Sequence, residues 1–145
     1  MRKALVLTLL LFLAGCAKHP PIGKWEGGYV ANGTVVVARV EIGADGLVKV
    51  SAPDITGLDP MKPEVMLSER EALQAELVNG WPSVAPREFD FDGKTFRKPG
   101  GQAPQMVWDE KTNQMTLQIF IGRNPAFPVA LRPVPGFHDN PFAAG

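Results

Sequence analysis

From Trp25 onward the apolar positions of this chain recur with a period of two rather than 3.6, the spacing of half-buried strands. Val35, Val36, Val37, Val40 and Ile42 form a β-branched run with Arg39 and Glu41 on the other face near its end. Gly43-Ala44-Asp45-Gly46 reads as a hairpin turn, because Gly supplies positive φ and Asp tolerates it. Leu47, Val48 and Val50 carry the return strand, which Pro53 ends. Later, Phe89 and Phe91 alternate with Glu88, Asp90 and Asp92, and Asp92-Gly93 turns the chain into Thr95-Phe96-Arg97. Met106 and Trp108 share a face of the next strand. Met115, Leu117, Ile119 and Ile121 then oppose Gln114, Thr116, Gln118 and Phe120, the clearest alternation in the chain. Val129 and Leu131 mark a last strand ended by Pro133 and Pro135.

The period changes in one place. Ser68 with Glu71 fits a capping box, Leu67 and Ala72 fit a small staple, and Leu73 and Leu77 lie on one helical face. Glu69, Arg70 and Glu76 are the solvent side, and Asn79-Gly80 the stop, which predicts one helix of about eleven residues. Residues 53–67, with Pro53, Pro60 and Pro63, read as a long irregular connection and a rim or lid. The pattern predicts a mainly β domain: a small antiparallel β-barrel or sandwich of about seven strands with one short α-helix, over an open end or against one face.

The first residues follow a different rule. Arg2 and Lys3 precede Ala4 to Ala14, which is apolar except for Thr8. As a helix that stretch would span roughly 16 Å, short of the roughly 30 Å of hydrocarbon in a bilayer, so it suits the core of a signal peptide. Leu13-Ala14-Gly15-Cys16 resembles the bacterial lipobox. That resemblance implies cleavage before Cys16, diacylglycerol on its thiol and an acylated new amino terminus. More than one acyl chain makes such an anchor effectively stable. With Ala17 rather than Asp next, the resemblance to the enterobacterial sorting pattern implies the periplasmic face of the outer membrane, with the inner membrane as alternative. The organisation expected is residues 1–15 as signal peptide, 16–22 as lipidated linker, 23–135 as the β-rich domain and 136–145 as a loose tail.

Composition narrows function chiefly by exclusion. Fifteen Lys+Arg against fifteen Asp+Glu argue against an electrostatic nucleic-acid binder. The leader carries Arg2 and Lys3 and no acid, so the body left after cleavage is slightly acidic and not built to lie flat on anionic lipid. Cys16 is the sole cysteine, so it has no disulfide partner within the chain. His19 and His138 lie far apart, in the linker and the tail, which predicts neither a metal site nor a Ser–His–acid triad. No cofactor is expected. Asp90 and Asp92 beside Gly93 read as turn chemistry rather than a calcium loop, and Asn32-Gly33-Thr34 as a turn. Gly27-Gly28 reads as a bulge and Gly100-Gly101 as a turn, since neither has phosphate-loop spacing.

Three residues stand out as candidates for a ligand or partner surface. Trp81, between Asn79-Gly80 and Pro82, either covers a barrel end or belongs to a binding face; Trp25 and Arg132 are the others. Gly23-Lys24-Trp25 resembles the Gly-x-Trp of the first lipocalin strand. That resemblance, which covers these residues and Arg132, implies that Trp25 closes one barrel end beneath Arg132 and that a small hydrophobic ligand is carried. The expected function is a non-catalytic lipoprotein that binds or organises another envelope component. A lipocalin-like carrier is the alternative, and a hydrolase the third reading.

Overall fold

The computed structural model describes residues 18–142, and Cys16 with the rest of the lipobox lies outside them. β1 (Gly23–Ala31) and β2 (Thr34–Ile42) form a hairpin in unbroken register from Gly23–Ile42 to Ala31–Thr34. Asn32 (φ 53°) and Gly33 (φ 73°) make its two-residue turn, where both central residues need positive φ. The Gly43–Gly46 turn returns the chain along the far side of β2 as β3 (Val48–Ser51) and β4 (Asp54–Ile55). Pro53 separates the two because it has no N–H to give, yet its carbonyl still accepts from Val37 N–H at 3.2 Å. An edge strand tolerates such a break.

The helix is longer than the sequence pattern predicts. α1 runs Pro63–Gly80, with Pro63 in its first turn, so Ser68 and Glu71 sit inside it rather than forming a capping box. A proline lacks only an N–H that the first turn leaves unpaired anyway, so Pro63 starts this helix instead of ending a loop. Gly80 has a right-handed φ of −81°, and the chain tightens directly into a 3-10 turn at Trp81–Ser83. Pro82 explains the change, since it cannot extend the α-helical ladder. Leu73 and Leu77 are the residues of α1 that become buried.

The remaining strands form an antiparallel meander: β5 (Asp90–Phe91), β6 (Thr95–Arg97), β7 (Pro104–Asp109), β8 (Gln114–Ile121) and β9 (Asn124–Val134). β9 then pairs with β1, giving the order β3-β2-β1-β9-β8-β7-β6-β5, with β4 beside β2. The result is a mainly β protein, a curled antiparallel half-barrel with one α-helix among the described residues. β9 starts earlier than Val129 and tolerates three prolines. Pro125 and Pro128 fall where it pairs only with β8, and Pro133 where it pairs only with β1, so no proline is flanked on both sides. At the seam, Val48 and Arg87 join the two ends by one bridge, with N–H···O distances of 2.9 and 2.8 Å.

The half-barrel buries both faces of β2 and the middle of β1. Trp25, Val40, Phe96, Met106, Met115 and Leu131 pack inside the curl. On the outer face Val35 and Val37 receive Leu73 and Leu77 of α1, which is why β2 reads as a continuous apolar run. Gly27 and Gly28 are regularly paired with Ala38 and Val37 and do not form the expected bulge. They make room instead: a Cβ on Gly28 would lie 2.2 Å from the Phe142 ring. Residues 136–142, read from the sequence as part of a loose tail, thus fold back across the outer face.

Candidate functional site

The three candidate residues do not converge. Trp25 is buried, 1% exposed, and its indole N–H donates to the Asn113 carbonyl at 2.7 Å. Trp108 donates to the Asn113 side-chain oxygen at 2.9 Å, so this one left-handed residue (φ 55°) in the β7–β8 turn ties two indoles to the same barrel end. Trp25 is therefore a core and end-closing residue. Arg132 is not above it: the register pairs Trp25 with Pro133, and Arg132 with Glu26. Alternation then places Arg132 on the outer face, opposite Trp25, so the lipocalin-like Trp–Arg stack does not form.

Arg132 belongs instead to an outer cluster centred on Glu26, which is fully buried. One carboxylate oxygen lies 3.6 Å from Arg132 Nη2 and also meets His138 Nδ1, while the other accepts from the His138 backbone N–H at 2.9 Å. Arg39, opposite Glu26 on β2, donates to the His138 carbonyl at 2.9 Å. Burial pushes the Arg39 guanidinium below its usual range, with Glu26 and Asp139 acting in the other direction. A buried carboxylate is costly unless its oxygens are occupied, and here the C-terminal strap occupies them. His138, expected in a loose tail, is held in place. An acid, two arginines and a histidine do converge, but on a packed sheet face under the strap.

Trp81 lies at the edge of this cluster. Its ring meets Phe137 edge-on with centroids 5.1 Å apart, and Lys49 Nζ stands 4.5 Å from its centroid. Arg39 lies over Phe137 at 4.8 Å. Further along, Gln74 donates to Asn140 at 2.8 Å, and Phe142 fills the space above Gly28. Trp81 is thus the clamp for the strap from the helix side. The sequence singles out Trp81 and Arg132, but not the link between them through Glu26 and His138, which are far apart in the chain.

Two features face outward. At the start of α1, Leu67 is 46% exposed and Val30 43%, in a depression of about 190 Å³ lined also by Pro63, Met66 and Arg70, and Met61, just before the helix, is 84% exposed. At the seam, a pocket of about 300 Å³ has Val48, Val50, Phe89, Met106 and Leu117 as its wall and floor. Arg87, Lys98 and Gln105 complete its lining.

Asp90 and Asp92 are committed to local turns. Asp90 accepts from Gly100 N–H, and Asp92 from Lys94 and Thr95 N–H and from Arg97. Those bonds, the Thr95 one foremost, lower the Asp92 pKa to about 2. No group of three or more His, Cys, Asp or Glu that could hold a metal occurs among the described residues, and none of their helices is long and apolar enough to cross a membrane. No family model, curated protein or solved structure matches this chain.

Proposed function

We propose that this protein is a non-catalytic lipoprotein, held by acylated Cys16 at the periplasmic face of the outer membrane, whose folded body binds another envelope protein. The reading of the anchor rests on the basic start, the short apolar core and the lipobox-like Leu13-Ala14-Gly15-Cys16. The binding reading rests on one observation: the depression at the start of α1, where the solvent-exposed Val30 and Leu67 are joined by Pro63 and Met66. Fold stability does not require this exposure, because the inner core and the α1–β2 contact are complete without it. Contiguous exposed apolar groups with a cation at their edge, here Arg70, are a common signature of partner surfaces.

The test is crosslinking in cells with the full acylated protein, followed by mass spectrometry of what is captured. One enriched envelope protein is expected, and it should be lost with Met61→Glu/Leu67→Glu while Lys111→Glu retains it. Capture unchanged by the double variant would overturn the binding surface. The anchor is tested separately. Cys16→Ser should leave the membrane fraction and stop being processed, and continued partitioning would overturn lipidation.

A further inference from the structure

The seam pocket continues into a second depression that shares Lys98 and Gln105 with it. This outer basin, of about 480 Å³, is lined further by Gly101, Gln102, Ala103, Phe120, Gly122 and Arg123. The two together form a trough in which apolar and polar surface are mixed: Val48, Val50, Phe89, Met106 and Leu117 line its inner end, Phe120 and Ala103 its outer end, and Lys98 and Gln105 lie where the two meet. Arg87, Lys98 and Arg123 contribute positive charge along it, and neither depression is lined by a carboxylate. Among the described residues none of these three cations has an ion-pair partner: the pairs present engage Lys24, Arg97, Arg132 and His138. Three cations without an ion pair along one trough favour an anion there, while the acids Glu88 and Asp90 line a neighbouring depression that shares Phe89.

The fold explains why the trough exists. Among the described residues the Val48–Arg87 bridge alone connects β3 to the far end of the sheet, and none of their strands covers the gap beside it. The inner pocket, at about 300 Å³, is at the lower limit of ligand pockets, which suits one alkyl chain and not two. A ligand with an apolar body and no charge would leave the cations unused. A small anion would leave Val48, Val50, Phe89, Met106 and Leu117 facing water. We infer that the trough binds a single-chain anionic amphiphile, its alkyl chain entering beside Met106 and its head held by Lys98, Gln105 and the flanking arginines. This site is at the seam, apart from the exposed start of α1, and does not depend on the partner reading.

The probe is a diazirine-bearing dodecanoic acid, crosslinked by light to the full acylated chain reconstituted in zwitterionic lipid nanodiscs, with the labelled peptides mapped. Labelling should saturate and fall on β3 and β7. Excess dodecanoate or dodecyl phosphate should displace it, and whichever competes better identifies a carboxylate or a phosphate head as the natural one. Dodecyl maltoside, dodecyltrimethylammonium and inorganic phosphate should not. Lys98→Glu and Arg123→Glu should each weaken binding about tenfold, the effect of one lost charge-assisted contact. Lys111→Glu should leave it unchanged. Val50→Trp should block labelling by filling the pocket, with circular dichroism confirming that the variant folds. Equal competition by the neutral or cationic amphiphile, labelling concentrated on Met61–Leu67, or non-saturable labelling would each overturn the inference.

Discussion

Glu26 shows how much one side chain can organise. It is charged, wholly buried, and contacted by groups that come from β9 and from the C-terminal strap. Replacing it with Gln keeps the shape and removes the charge, leaving Arg132 and Arg39 on a face built around a carboxylate. Breaking a buried pair from one side costs about 3–5 kcal/mol; the half-open position of Arg132 reduces this to about 2–3 kcal/mol. Glu26→Gln should therefore lower stability in urea by that amount and speed amide exchange at His138 and Phe142. A variant as stable as the parent would show that packing alone holds the strap. Asp92 is a contrasting case at the surface. Its ordinary pKa is 3.8 and its folded value about 2, so its stabilising bonds are at full strength above the unfolded value and are lost as pH falls through the folded one. The gap in stability between the parent and Asp92→Ala should be constant near neutrality and shrink between about pH 4 and pH 2. A gap that does not depend on pH would show that the ionised carboxylate contributes nothing to the turn.

At the scale of elements, the hairpins depend on a few turn residues with positive φ. Gly33 is constrained twice: its φ is 73°, and a Cβ there would come 2.1 Å from the Leu58 carbonyl oxygen. Leu58 N–H also donates to the Gly33 carbonyl at 3.0 Å, so this turn fixes the connection leading to α1. Gly33→Ala should cost about 2 kcal/mol or more, combining left-handed strain with displacement of that connection. Thermal unfolding measures it, and an unchanged midpoint would mean that the 57–58 segment gives way freely. Such turns were legible in the sequence because their signal is local: Asn32-Gly33, Gly43–Gly46 and Asp92-Gly93 each sit between alternating runs. The start of α1 is not legible in the sequence, for the opposite reason. Three prolines in residues 53–67 suggest irregular chain, yet only the packing of Leu73 and Leu77 on Val35 and Val37 decides that Pro63 opens a helix. The extent of β9 is hidden in the same way, since the tolerance of its prolines depends on which neighbour is missing at each position.

At the scale of the whole molecule, period-two alternation distinguishes inside from outside but does not say which strands meet. The β1–β9 pairing, the curl and the outer strap are all long-range, and the cluster at Glu26 exists only because of them. The same closure leaves one weak line. β1 is hydrogen-bonded on both sides, to β2 and β9, and β8 to β7 and β9, whereas the seam is joined by two hydrogen bonds at a single bridge. Local opening begins where the fewest bonds and contacts must be broken together. The amides of Val48 and Arg87 should therefore exchange much faster than those of Ala38 and Leu131, although all four are hydrogen-bonded or in sheet. A seam held by two hydrogen bonds should open more often than the central strands, which are paired along both sides. Exchange followed by NMR at each amide resolves the difference. Saturating dodecanoate, if it occupies the trough, should slow exchange at Val48 and Arg87 while leaving Ala38 and Leu131 unchanged. Uniform protection across all four amides in the ligand-free protein would mean that the half-barrel opens only as a whole, and that a ligand reaches Met106 through the pocket as it stands, without separate opening of the seam.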